Sequence, residues 1–138
     1  MPCRLTDELS DSLHQIINKV VKIKMVISYD LDKTLTDNPE LAQVATAMQA
    51  MGHRNIVLTG RKSDVGIREL LNNLGFPNET EIITKAGHDG SIIDFKSKKL
   101  QEIGADLYID ADEITLPDGH PTKVLTFQRR MKFGRVTR

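Results

Sequence analysis

Short apolar runs rich in β-branched residues alternate with segments whose apolar residues recur at helical spacing, and this alternation constrains the fold more than any other feature. Lys24 to Tyr29, Asn55 to Gly60, Glu81 to Thr84 and Ala105 to Asp110 are the strand-like runs. The first of them is apolar nearly throughout rather than at every second position, the pattern of a strand covered on both faces. The spacing predicts a helix over residues 7–21, where Leu9, Leu13, Ile16, Ile17 and Val20 recur behind Thr6 as N-cap. A second helix is expected after Asn38-Pro39, with Asn38 as cap and Leu41, Val44, Ala45 and Met48 inward. A third is expected behind Ser63 or Asp64, with Val65, Leu70, Leu71 and Leu74 inward, and a fourth over Lys96 to Ile103. Ser91 to Phe95 reads as a hairpin arm, and Lys123 to Phe127 as a last edge strand. Strands alternating with helices predict an α/β fold: a doubly wound (Rossmann-like), mainly parallel sheet with helices on both faces. One domain over residues 1–138 is expected, with no internal repeat and no linker.

Charge narrows the function classes. Lys and Arg number 19 and Asp and Glu 19, so no bulk electrostatic attraction to nucleic acid or to an acidic membrane is indicated. The exception is a basic tail over residues 128–138, with Arg129, Arg130, Lys132, Arg135 and Arg138. Two readings of it stand, a solvated tail and a contact for a phosphate-rich partner, nucleic acid included. Cys3 is the only cysteine, which excludes an intrachain disulfide and a cysteine metal cluster. No apolar run has the length of a membrane span, so a soluble, cytoplasmic protein without membrane partners is expected.

Chemistry collects where the strands end. In a doubly wound sheet ligands bind outside the carboxyl ends of the strands. The first strand ends in Asp30-Leu31-Asp32, with Thr34 two residues on. The second ends in Thr59-Gly60-Arg61, and the strand through Leu107 ends in Asp110-Ala111-Asp112-Glu113. Carboxylates gathered at one edge repel each other, and a hard divalent cation relieves this; Mg²⁺ is the expected choice, with Asp30, Asp32, Asp110 and Asp112 offering oxygens. Thr59 offers a hydroxyl and the loop from Thr59 to Lys62 offers backbone N–H groups to a phosphate. A lysine at the rim would offset the remaining phosphate charge. Taken singly, each piece has a plainer reading as a capped or solvated strand end.

Together these residues resemble the haloacid dehalogenase-like superfamily of phosphohydrolases. Asp30, Asp32 and Thr34 behind an apolar strand match its first motif, and Thr59, Gly60 and Arg61 its second. The resemblance covers about Met25 to Glu113 and implies a Mg²⁺-dependent phosphomonoester hydrolase. It implies Asp30 as the nucleophile that becomes phosphorylated and Asp32 as the acid–base partner. It implies Mg²⁺ held by the side chains of Asp30 and Asp110 and the backbone carbonyl of Asp32, and a phosphoryl group bound by Thr34, Thr59, Gly60 and Arg61. Lys96 fits the position of the family's lysine best, with Lys98, Lys99 and Lys85 as alternatives. The acids after Ile109 depart from the common spacing, which leaves Asp112 or Glu113 as second acid. Little chain lies between the motifs, so a small member without a large cap domain is expected, its open site suited to a bulky phosphorylated substrate or to closure by a neighbouring subunit in a homo-oligomer.

Two other readings use the same residues. A phosphorylation-receiver module also gathers acids, a threonine and a lysine around Mg²⁺, although there the acid pair and the phosphorylated aspartate sit on different strands. A catalytically silent relative that only binds is the other. "GRKS" at Gly60 to Ser63 lacks the upstream glycine of a nucleotide-binding P-loop and is set aside.

Overall fold

The computed structural model describes residues 11–13 and 24–127. Strands β1 (Val26–Tyr29), β2 (Arg54–Leu58), β3 (Glu81–Ile83), β4 (Leu107–Asp110) and β5 (Lys123–Thr126) form one sheet in the order β3-β2-β1-β4-β5. Every neighbouring pair is parallel. Helices α1 (Leu41–Ala50), α2 (Ile67–Leu74) and α3 (Ile92–Glu102) connect the strands. The expected α/β, Rossmann-like parallel sheet is therefore the observed one.

Alternation along the strands explains the layers. Ile27, Tyr29, Val57 and Ile109 point to one face and pack with Leu41, Ala42 and Ala45 of α1 and Ile67 and Leu71 of α2. Leu58 and Tyr108 point to the other face and pack with Phe95 and Leu100 of α3. Both faces are thus covered, which is why the strands carry continuous apolar runs. The polar Asn55 inside β2 is satisfied: it accepts from the Tyr29 hydroxyl at 2.7 Å and donates to the Ala45 carbonyl at 2.8 Å. These two bonds tie β1, β2 and α1 at one point.

Several local expectations change. Ser91 to Phe95 is no hairpin arm but the first turn of α3. The Ser91 hydroxyl accepts from the Asp94 N–H at 3.1 Å, and this N-cap starts the helix before Lys96. Neither Ser63 nor Asp64 caps α2, which begins at Ile67 behind Gly66. Val65 consequently lies outside the helix and is 82% exposed, not inward. Gly75, at φ 92°, stops α2 as expected from a left-handed C-terminal residue. Asn38 does not cap α1 through its side chain; its amide donates back to the Thr34 carbonyl at 2.9 Å. β5 is the expected edge strand, paired with β4. Of the helix expected over residues 7–21 only 11–13 are described, and they are helical; the rest of it and the basic tail, 128–138, lie outside the described residues. Among the described residues no helix is long and apolar enough to cross a membrane.

The strand order places the site. The chain runs β1 to β2 to β3 outward, then returns so that β4 lies on the other side of β1. The carboxyl ends of β1 and β4 therefore flank the point where the order reverses, the usual ligand crevice of such sheets.

Candidate binding site at the carboxyl edge of the sheet

β1 ends with the Asp30 amide donating to the Ile109 carbonyl of β4 at 2.9 Å, which sets the two strand ends side by side. The chain then leaves the sheet in a tight turn over Leu31–Leu35, with Leu31 and Leu35 anchored in the core. Lys33 takes φ 67° there, the left-handed region, and its N–H donates to the Thr36 hydroxyl at 2.9 Å. Buried Thr34 locks this turn to both strand ends. Its hydroxyl donates to Asp30 Oδ2 at 2.9 Å and accepts from the Ala111 N–H at 2.8 Å. Thr34 is thus a brace of the site rather than a group free to hold phosphate.

Lys96 reaches the edge from the second turn of α3. Its ammonium lies 2.5 Å from Asp30 Oδ1 and 3.9 Å from Asp110 Oδ2. Its side chain is 6% exposed, that of Asp30 14% and that of Asp110 3%. Among the four lysines considered, Lys96 is the one at the carboxylates. Lys99 pairs with Glu102 at 3.1 Å, Lys85 donates to the His88 carbonyl at 3.0 Å, and Lys98 is exposed. Burial pushes the Asp30 carboxyl above the ordinary aspartate range, with Lys96 pulling the other way.

Tyr108 completes the group, and sequence reading missed it. Its buried hydroxyl accepts from the Lys96 ammonium at 2.7 Å and donates to Asp110 Oδ2 at 2.7 Å. The signal was available: Tyr108 stands two residues before Asp110 in one strand, hence on the same face. Burial, with Asp30 and Asp110 adding to it, holds the Tyr108 hydroxyl protonated far beyond the ordinary tyrosine range. The other Asp110 oxygen accepts from the Asp112 N–H at 2.9 Å.

Asp32 points to a different partner. Arg61 clasps it through two bonds, Nε to Oδ2 at 3.0 Å and a second guanidinium nitrogen to Oδ1 at 2.6 Å. This hydrogen-bonded clasp holds the Asp32 carboxyl below the ordinary aspartate range. Arg61 is positioned by Thr59, whose buried hydroxyl accepts from the Arg61 N–H at 3.1 Å. That leaves the Thr59 hydroxyl proton free to point elsewhere. Gly60 lies beneath Ile92 of α3: a Cβ there would come within 2.9 Å of the Ile92 side chain. The glycine therefore admits an apolar wall over the Thr59–Arg61 loop.

These residues line one cleft of about 650 Å³. Asp30, Asp32, Gly60, Arg61, Lys96, Asp110 and Asp112 all border it, so the structure brings the expected residues together apart from buried Thr34 and Thr59, which support it from behind. Ile92, Ile93 and Ile114 form its apolar side.

Sequence reading expects Mg²⁺ at Asp30, Asp32, Asp110 and Asp112. The Asp32 side chain is drawn away to Arg61, which leaves its backbone carbonyl as the oxygen it could offer, and among the described residues no three acid, His or Cys side chains are gathered as a metal-holding group. Asp30 and Asp110 are the carboxylates that stay together. Their hard oxygens are of the type Mg²⁺ takes, one or two from the protein and the remainder from phosphate and water.

No family model matches the chain, and no curated protein matches it. Among solved structures it is similar to a universal stress protein in complex with cAMP, at 17% identity over 76% of this chain and 97% of that one, with a TM-score of 0.47. The motifs lead one to expect a haloacid dehalogenase-like phosphatase; the comparisons return a universal stress protein instead. Membership of that superfamily, the hydrolase activity, the aspartyl-phosphate intermediate and the two rival readings are corrected accordingly. The geometry offers a reason for the acid–base role in particular. A general acid works best with its carboxyl raised toward neutrality, and Arg61 pulls Asp32 the other way.

Proposed function

We propose that this chain is a binding domain for a phosphorylated small molecule of the nucleotide class, taken up together with Mg²⁺ in the cleft between the ends of β1 and β4. The composition of that cleft carries the reading. Its acids are Asp30, Asp32, Asp110, Asp112 and Glu113, against Arg61 and Lys96 alone. Lys96 answers Asp30 and Arg61 answers Asp32, while Asp112 and Glu113 form no salt bridge among the described residues. A bare anion would be repelled by this excess of negative charge. A phosphate that brings Mg²⁺ is not, because Asp30 and Asp110 supply the one or two carboxylates that Mg²⁺ takes beside phosphate oxygens.

The phosphate side is equally specific. The Gly60 N–H and the Arg61 fork, both at the border of the cleft, are the donor types that phosphate oxygens take. The Arg61 fork already grips a carboxylate in the two-pronged way it would grip phosphate. Opposite lie Ile92 and Ile93, 53% and 39% exposed, with Ile114. An apolar wall beside a few convergent polar groups suits a ligand with a flat apolar ring at one end and phosphate at the other. A cytoplasmic setting, where nucleotides circulate as Mg²⁺ complexes, belongs to the same proposal.

Calorimetric titration with ATP, AMP and orthophosphate, each in Mg²⁺ and again in chelator, tests the reading. Nucleotide is expected to bind in Mg²⁺ and to lose at least about tenfold in affinity without it, or with Asp110→Asn; tenfold is about 1.4 kcal/mol. No nucleotide binding in Mg²⁺ would show the reading to be wrong.

A further inference from the structure

The Lys96 ammonium occupies the space that a cation shared by Asp30 and Asp110 would need. It lies 2.5 Å from one carboxylate and 3.9 Å from the other, and all three side chains are largely shielded from solvent. Besides the ion pair with Asp30, Tyr108 holds it there. Its hydroxyl accepts from Lys96 and spends its own proton on Asp110, each at 2.7 Å. The hydroxyl thus links the cation to the carboxylate that the cation does not touch directly. No motif and no comparison assigns it a role.

We propose that Tyr108 is a positioning residue that tethers Lys96 between Asp30 and Asp110 and thereby sets the Mg²⁺ affinity of the site. The inference rests on the Mg²⁺–nucleotide reading above. In the free protein the ammonium serves as counter-ion, and Mg²⁺ has to displace it against charge repulsion. When a phosphate arrives, it offers Lys96 a new anionic partner and draws it off the carboxylates. Mg²⁺ and nucleotide therefore each strengthen the binding of the other, by the same factor in both directions. Tyr108 makes the site discriminate, refusing the free cation and accepting the cation that comes with phosphate.

The test is Mg²⁺ titration of the ligand-free protein by calorimetry, for wild type, Tyr108→Phe and Lys96→Gln. Tyr108→Phe keeps the ring in the core and removes only the tether. Mg²⁺ is expected to bind it about 3- to 10-fold tighter than wild type, within the usual range of coupling between linked sites. Lys96→Gln is expected to bind Mg²⁺ tighter still, with a larger rise in melting temperature on adding Mg²⁺ than wild type shows. The mutual strengthening of Mg²⁺ and nucleotide should shrink in both variants. A hydroxyl with a merely structural role would leave Mg²⁺ affinity equal or weaker on its removal. Equal or weaker Mg²⁺ binding in Tyr108→Phe, or in Lys96→Gln judged folded by circular dichroism, would overturn the proposal. The outcome is separable from that of the functional reading, because the Mg²⁺ titrations need no nucleotide and nucleotide binding to wild type needs no variant.

Discussion

At the scale of single residues the site is a set of paired charges. Lys96 is the most consequential of them, because its ammonium is buried against Asp30 with Asp110 close by. Removing one partner of a buried pair leaves the other uncompensated, which costs about 3–5 kcal/mol. Lys96→Gln is accordingly expected to lose stability of that order in urea unfolding. Adding Asp30→Asn to the same chain should recover a large part, because it removes the stranded charge. Arg61 and Asp32 form a more exposed pair, and its contribution is smaller, under about 1 kcal/mol. Its signature is in titration. The Arg61 clasp lowers the Asp32 carboxyl below its ordinary 3.8, so the stabilisation is complete above that pH and is lost only as pH falls through the lower folded value. In Arg61→Gln the Asp32 midpoint should move up toward 3.8, as read by carboxyl-carbon NMR; an unchanged midpoint would contradict the assignment.

At the scale of elements, α3 decides the site, since it carries Ile92, Ile93 and Lys96. Its start is set by the Ser91 cap, one hydrogen bond to Asp94. Ser91→Ala is expected to cost about 1 kcal/mol, measured as a lowered melting temperature, with the ligand affinity reduced as well because the first turn forms the apolar wall. Gly60→Ala separates the two effects. The added Cβ would meet the exposed Ile92 side chain, which can shift, so stability should change by less than about 1 kcal/mol while nucleotide affinity falls. The same helix shows where sequence reading stops. Ser91-Ile-Ile-Asp94-Phe95 contains two adjacent β-branched residues, which favour a strand, and a cap-like serine three residues before an acid, which favours a helix start. The cap prevails because Phe95 and Leu100 then share an inward face over the sheet. Val65 failed for the complementary reason: its apolar character fits the helical period, but the left-handed Gly66 between it and Ile67 delays the helix.

At the scale of the whole molecule, the order of strands turns scattered residues into one cleft. The apolar runs made the parallel sheet legible, the carboxyl-end rule made Asp30, Thr59, Gly60, Arg61 and Asp110 legible as neighbours, and Lys96 was legible only through the family resemblance. What the chain could not show was partnership. Asp30 and Asp32 stand two residues apart at one strand end, yet the turn through Lys33 delivers Asp32 to Arg61 and leaves Asp30 to Lys96. Tyr108 passes for a core aromatic until its hydroxyl is seen between a lysine and an aspartate. The motifs matched a hydrolase family because they report on strand ends and residue types, and such patterns do not by themselves fix chemistry.

The most direct test of the account is to locate a bound nucleotide by amide chemical-shift mapping, titrating isotope-labelled protein with ADP in Mg²⁺. The largest shifts are expected at Asp30, Gly60, Arg61, Ile92, Lys96 and Asp112, around the β1 and β4 ends, and they should collapse when the Mg²⁺ is chelated. Shifts centred instead on the second hollow of the surface, beside Gly87, His88 and Lys98, or no shifts at all, would contradict it.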